Sequence, residues 1–436
     1  MSSNARAARR RRQAQTFVGC LRQFLTPAVL KQAHQACRRP PRHTRWTLQP
    51  LLLVLLTLTW CTGDSQPERF ETARGFCVVL TAKRRRPGQT VSGFQKALAR
   101  LPLPALRVIA AAIRRQFLER FAGLLAVGGW VPFGCDGTRL ECPRTAELER
   151  HLGEAGKPGT APAVWLTALV HLPTGLLWSW RLGKGTASER DHLRRLLPTL
   201  PPRALVVADA GFTGFELAGA LADAGVAFLI RQSSKVRLYP VASGSRETWR
   251  DGPVYYWPDA AQKRRRPPLR LRLLRLAGHG GKGDVWLLTS VLDPAQLSLE
   301  TAGRLYRLRW ESEGFFRTYK RTVGKVKLVS RTVALVHREA EGSLLAVQLL
   351  LAQGATGLLA VARTRAAVSS PRQILREIRR EIQQAGRGRR SSSYRERIGR
   401  ATRERRRRRS GKEKRPWPQS CHAARRHPEP MKMGAY

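Results

Sequence analysis

Acidic residues are scarce in this chain. Of 436 residues, 30 are Asp or Glu and 80 are Lys or Arg, for a formal charge of +50. That balance sets it apart from an ordinary cytosolic enzyme and makes a polyanion, nucleic acid first, the expected partner. Arg far outnumbers Lys, a bias that a GC-rich genome also produces, so charge alone supports DNA binding without establishing it. Cysteine chemistry is thin as well: seven cysteines lie scattered at positions 20, 37, 61, 77, 135, 142 and 421, with no C-x2-C pair. Neither a zinc site nor a disulfide framework is indicated, and Cys421-His422 with His427 reads as tail sequence rather than a metal fragment. Long apolar runs are missing. The start, with its Arg9–Arg12 run, has no signal-peptide stretch. The most apolar segment, Leu51–Trp60, falls well short of the ~20 residues that span a bilayer and reads as a buried helix. A soluble, reducing, cytoplasmic setting without membrane contact is the expectation. No G-x-S-x-G or H-E-x-x-H is present, and Gly183-Lys184-Gly185 and Gly281-Lys282-Gly283 lack the hydroxyl residue and spacing of a P-loop. Chemistry in this chain should need no nucleotide.

Residues 1–125 read as mostly helical. Thr26-Pro27 is a helix start, with Thr as cap and Pro at the first helical position. Further helices are expected over 48–60, 67–82, 90–101 and 104–125. This basic helical region is expected to contact DNA, although an ordinary packed bundle would look the same. From about 128 the pattern turns to strands: Trp130–Cys135 running into Asp136, then Ala163–His171 and Leu176–Leu182 around a Pro173-Thr174-Gly175 turn. Thr186-x-x-Glu189 reads as a capping box opening a helix that Pro198 ends. Ala204–Ala208 leads into Asp209, a helix covers Glu216–Ala224, and Val226–Ile230 is another strand. A meander followed by alternation of strand and helix describes a mixed α/β sheet. Four more strands are expected within 232–298: Val236–Val241, Val254–Trp257, Leu269–Leu273 and Trp286–Val291. A strongly apolar helix, Leu344–Leu359, and another over Arg372–Gln384 follow. Beyond Gly386 the Arg/Ser-rich composition predicts disorder.

Leu305–Lys325 carries the densest chemistry. On a helix at ~100° per residue, Tyr306, Arg309, Glu313, Arg317 and Lys320 fall within roughly 80° of one another. Leu305, Leu308, Phe315 and Tyr319 form a neighbouring stripe that can face a core, while Glu311 points away. One carboxylate amid cations and a phenol suits a phosphate-rich substrate and a metal ion held by the acid. A solvated face of i,i+4 ion pairs is the plain alternative. Upstream, Asp136 and Asp209 each follow an apolar strand. Strand ends are where α/β sheets collect ligands, and two carboxylates brought together there imply a divalent cation between them. Each alone is equally well an Asp-Gly or Asp-Ala turn.

The spacing Tyr306-x2-Arg309-x3-Glu313-x6-Lys320 resembles the Tyr–Arg–Glu–Lys signature of insertion-sequence transposases with a DDE catalytic centre, over roughly residues 128–350. The resemblance implies an α/β, ribonuclease H-like mixed sheet with a β-rich insertion. The expected order is a helical DNA-binding region (1–125), the first part of the core (126–231), the insertion (232–298), the catalytic helix (299–330), C-terminal helices (331–386) and a basic disordered tail (387–436). It implies Asp136, Asp209 and Glu313 as ligands of Mg2+ (or Mn2+), with two ions expected. Tyr306, Arg309 and Lys320 would grip phosphates near the cleaved end, and Trp310 would hold distorted DNA; Arg317 joins them from the helical wheel. The implied activity is cleavage of double-stranded inverted-repeat ends and their transfer to target DNA, by a homodimer in a synaptic complex in the bacterial cytoplasm at the nucleoid. A same-fold endonuclease that never joins strands, and a non-catalytic or decayed nucleic-acid binder, are the alternatives. Pro132 departs from what a central strand favours.

Overall fold

The computed structural model describes residues 15–37, 44–81, 86–121, 125–154, 159–233, 236–241, 249–278, 283–362, 369–386 and 393–401. They fall into two compact units. The first takes in the described residues of Met1–Leu125, Gly137–Ser188 and Glu311–Thr402, and the second those of Ala126–Asp136 and Glu189–Trp310. These units cut across the sequence boundaries, because residues distant in the chain share a core.

In the first unit, helices α1 (Phe17–Phe24), α2 (Pro27–Gln35), α3 (Leu48–Trp60), α4 (Gln66–Leu80), α5 (Val91–Arg100) and α6 (Leu103–Phe121) match the expected pattern to within a few residues, with α1 added. Thr26 caps α2 as expected: its Oγ1 accepts from the Val29 N–H at 3.3 Å, and Pro27 opens the helix. Such a cap contributes about 1 kcal/mol. Beyond β1 (Val131–Glu141), which passes from one unit into the other, come α7 (Ala146–Leu152) and the antiparallel pair β2 (Ala163–His171) and β3 (Leu176–Lys184).

The second unit adds α8 (Glu189–Leu196), β4 (Ala204–Ala208), α9 (Phe215–Asp223), β5 (Ala227–Arg231), β6 (Leu238–Pro240), β7 (Asp251–Tyr256), α10 (Asp259–Lys263), β8 (Leu269–Leu276), β9 (Val285–Thr289) and α11 (Leu299–Leu308). The first unit closes with α12 (Trp310–Arg317, entering it at Glu311), α13 (Val333–Ala362), α14 (Pro371–Gly386) and α15 (Tyr394–Gly399).

α13 is the centre of the first unit. Leu344, Leu345, Ala346, Val347, Leu349, Leu350, Leu351 and Ala352 are all buried, as is Gln348 among them, so this stretch of the helix is enclosed by others. α3 lies against it: the Trp60 indole N–H donates to the Ala346 carbonyl, and a Cβ on Gly342 would stand 2.6 Å from Leu55. The N-terminal helices bury Phe17, Phe24, Leu52, Val54, Phe70, Ile109 and Phe117. Their apolar faces therefore build a core shared with the C-terminal helices.

A correction concerns the C-terminal region. Residues 394–399 were expected to be disordered but form α15, because Tyr394 supplies a buried anchor whose hydroxyl donates to Gln353 Oε1 at 3.0 Å. The rest of the basic tail, including Cys421, His422 and His427, lies outside the described residues, as does the Arg9–Arg12 run.

Within the second unit the strands run in the order β1-β4-β5-β9-β8-β7-β6. β4 is parallel to β1 and to β5; the remaining pairings are antiparallel. The strands expected as an insertion thus prolong one sheet, with β9 hydrogen-bonded directly to β5. Pro132 sits in β1 opposite Leu205 without harm. The Val131 N–H already donates to the Arg203 carbonyl on the β4 side, so by alternation the nitrogen of Pro132 points the other way.

α8 starts at Glu189, directly after Ser188, rather than at the box expected from Thr186. In β8 the Leu/Arg alternation holds for Arg270, which is exposed, but fails at Arg272, which is buried. Arg272 is held by both carboxylate oxygens of Asp251 and by the Leu297 carbonyl at 2.9 Å.

Candidate active site

Two of the expected carboxylates come together in the second unit. The parallel ladder pairs Val131 with Ala204 and ends at Gly134 opposite Val207. Continued for two residues, the same register sets Asp136 opposite Asp209, on adjacent strands about 4.8 Å apart. β4 stops at Ala208, whereas β1 runs on to Glu141. Asp136 therefore lies within its strand and not after it, a correction to the sequence expectation, yet it still marks the end of pairing with β4.

Asp209 caps the 3-10 turn Ala210–Phe212, its Oδ1 accepting from the Gly211 N–H at 2.9 Å. The turn reading of Asp209 therefore holds. Both aspartates are half-buried.

Cys135, the residue before Asp136 in β1, is buried. Burial pushes its thiol well up from the ordinary value, and the negative charges of Glu189, Asp136 and Asp209 push it further. Glu189, at the start of α8, is thus a third acid facing the same spot. The sequence reading passed over it because its place in a capping box gave it a structural role. Its signal was a carboxylate opening the helix between the meander and β4.

Paired hard-oxygen donors at adjacent strand ends fit a divalent cation, which relieves their mutual repulsion. Among the described residues, no three His, Cys, Asp or Glu side chains are gathered closely enough to hold an ion. Glu313 is a half-buried residue of the first unit.

The signature segment is not one helix, which corrects the single face expected from the wheel. α11 ends at Leu308, and the Arg309 N–H donates to the Tyr306 carbonyl three residues back, a tightened turn. α12 follows, and Thr318–Thr322 widens into a π turn, where Val323 N–H reaches Thr318 O. A tight turn and a wide turn each shift the phase of everything downstream, so 100° per residue does not carry from Tyr306 to Lys320.

In the second unit, the guanidinium of Arg309 lies 5.7 Å from the Tyr306 ring centre and 5.2 Å from that of Trp310. Trp310 is 62% exposed, so it is not a core residue.

In the first unit, Lys320 sends its Nζ to Thr138 Oγ1 at 2.6 Å. Thr138 is two residues beyond Asp136 and shares its face of β1. Burial holds the Lys320 amine below its ordinary pKa. Arg317 is exposed. Phe315 and Tyr319 bear out the buried stripe: the two rings stack at 6.2 Å, and the Tyr319 hydroxyl bonds Ser343 Oγ at 2.8 Å.

Residues 135–349 match a family model described as the transposase DDE domain. The span begins one residue before Asp136 and includes Asp209 and Glu313. No curated protein matches the chain. Among solved structures, a cryo-EM structure of a piggyBac transposase synaptic complex with hairpin DNA is similar at 12% identity and a TM-score of 0.45, over 95% of this chain and 90% of that one. No helix among the described residues is long and apolar enough to cross a membrane.

Proposed function

We propose that this protein, whose residues 135–349 match the transposase DDE-domain model, cuts the inverted-repeat ends of an insertion element and joins them to target DNA. The family's chemistry is metal-dependent DNA strand cleavage and transfer. The observation that supports the reading is the parallel ladder of β1 and β4, whose last pair, Gly134 with Val207, stands two residues before Asp136 and Asp209.

Asp136, Asp209 and Glu313 are the residues that hold the metal, Mg2+ or Mn2+, with two ions the expected number. When bound there, the metal supplies activation of the attacking oxygen and stabilisation of the leaving one. Water attacks the phosphorus of a phosphodiester at the element end, breaking its bond to the 3′ oxygen. The freed 3′-hydroxyl then attacks a phosphodiester of the target, displacing that strand's 3′ oxygen. One bond forms for each broken, so DNA binding rather than nucleotide hydrolysis drives the exchange.

The chain's own residues bind and orient. Arg309 and Lys320 neutralise backbone phosphates, with Tyr306 and Arg317 beside them. Trp310 offers an exposed ring on which an unstacked base can lie. Its exposure and the cation beside it support that role. Glu189 deepens the negative field at the aspartate pair. Two ends must be joined at once, so the working form is a homodimer in a synaptic complex, acting on double-stranded DNA in the bacterial cytoplasm at the nucleoid.

A strand-transfer assay tests the reading. A precut end incubated with a target plasmid and Mg2+ should yield joined products. Hydrolysis without joining would mark an endonuclease of the same fold, and salt-sensitive binding without any cleavage would mark a non-catalytic binder.

A further inference from the structure

A pocket of about 340 Å3 opens in the second unit at the start of α9. At roughly 30 Å3 per water it has room for an anionic group with its hydration. Its walls come from three places in the chain: α8, the turn into α9, and α10 with its exit.

Arg190, Arg194 and Arg264 line it. Arg190 is fixed by its Nε, which donates to the Gly211 carbonyl at 2.8 Å, two residues beyond Asp209. Its Nη1 lies 3.1 Å from where a Cβ on Gly214 would stand, a tight contact that glycine avoids. Arg264 ends α10, and the chain turns there through Arg265 at φ 52°. The Arg266 N–H bonds Ala261 O and the Arg265 N–H bonds Gln262 O, closing a Schellman turn with arginine where glycine is the usual residue.

Two acids stand beside these cations, each already in an ion pair. Glu216 is occupied by Arg266, whose Nη1 donates to its Oε2 at 2.5 Å, and Asp191 is bridged to Arg194 at 3.0 Å. Side-chain capping of α9 is absent: Gly214 stands at its N-cap, and the first-turn amides of Glu216 and Leu217 have no partner within the helix. The positive end of the helix therefore adds to the arginines.

We propose that this pocket is a DNA-backbone site that holds a phosphodiester flanking the one cut at Asp209. The inference rests on the transposase reading and extends it to residues outside the signature. Three cations and a helix start, set on the turn that Asp209 opens, suit a phosphate of the same substrate. The pocket grips the backbone and reads no base: its charged donors are guanidiniums, joined by main-chain amides and the Thr213 and Tyr256 hydroxyls, all groups that suit a phosphate.

The full-length chain, a short duplex of arbitrary sequence and a salt series test it. Arg194 and Arg264 are exposed, so Arg194→Ala with Arg264→Ala should leave the melting temperature unchanged. The slope of log affinity against log salt should fall by about 1.8 for two lost phosphate contacts. The lysine versions, Arg194→Lys with Arg264→Lys, should restore most of it. As a control for bulk charge, Arg100→Ala with Arg376→Ala should change the slope far less.

A second measurement is local: DNA should shield Ala260→Cys, on the pocket wall, from maleimide. An unchanged slope, an equal loss in the control pair, or unshielded labelling in the DNA complex overturns the pocket. If the parent protein still nicks DNA in Mg2+, the transposase reading survives that failure. A parent protein that neither binds nor nicks the duplex overturns both.

Discussion

Asp136, within β1, and Asp209, directly after β4, each lie two residues past the last ladder pair, Gly134 with Val207. Like charges directly opposite on neighbouring strands destabilise a sheet by roughly 0.2–1 kcal/mol. Without divalent ions, Asp209→Asn should therefore melt slightly higher than the parent, since Asn keeps the Oδ1 that caps the turn. Adding Mg2+ or Mn2+ should raise the parent's melting temperature and leave the variant's almost unmoved. Ion at 100 times its dissociation constant contributes about 2.7 kcal/mol. Equal shifts for both proteins would remove the pair from the metal site.

His171 gives a pH dependence to the first unit. It is buried, its Nδ1 set against Thr174 Oγ1 at 2.7 Å and its Nε2 against the Leu125 carbonyl at 3.1 Å. Burial lowers its pKa from 6.5 to about 4, the Leu125 bond opposing only in part. The unfolded chain binds the proton first, so stability is full above about 6.5 and falls as pH drops toward 4. The loss reaches about 3 kcal/mol over that window. Urea unfolding at several pH values should show it, and His171→Gln should flatten the profile.

Glu339 acts on the acid side. Lys325 Nζ meets its Oε1 at 2.8 Å, and the Val329 and Ser330 amides donate to Oε2 at 3.0 and 2.9 Å. Burial alone would raise its pKa, but Lys325 and the Ser330 bonds outweigh it and hold the carboxyl below 4.5. Its contribution is present above about 4.5 and disappears as pH falls through the lowered value. Glu339→Gln leaves Lys325 without its anion and should cost about 3 kcal/mol in chemical denaturation.

Trp310 separates binding from stability. At 62% exposure, Trp310→Ala should change unfolding free energy by less than about 0.5 kcal/mol. Handling of a distorted DNA end should weaken, seen as slower cleavage of a duplex end relative to one already unpaired. A large loss of stability would return Trp310 to a packing role.

The legible parts of the fold were those where local pattern and tertiary demand agree. Leu48–Trp60 was placed to the residue because an apolar run with a Thr before it has one use. Ala163–His171 was equally plain, a β-branched and aromatic run closed by a Pro-Thr-Gly turn. Where a distant partner decides, the sequence misled. Arg272 looked solvent-facing by alternation, and only Asp251, on the neighbouring strand, makes its burial tolerable. Tyr394 sat in an Arg/Ser-rich stretch whose composition spoke for disorder, while its anchor, Gln353, is on another helix.

The site divides the same way. Asp136 and Asp209 were singled out because each follows an apolar strand run. The row from Tyr306 to Lys320 was drawn on an unbroken helix, and the turns at Arg309 and Thr318–Thr322 leave no mark in side-chain periodicity. Glu189 was hidden by a second plausible role for the same residue.

Metal-dependent nicking by site variants tests the central claim most directly. A supercoiled plasmid carrying the element ends is incubated in Mg2+ with the parent, with Asp209→Asn and with Glu313→Gln, and end binding is measured alongside. The account predicts nicking by the parent, none by either variant, and unchanged end binding in all three. Undiminished nicking by Asp209→Asn or by Glu313→Gln would contradict it.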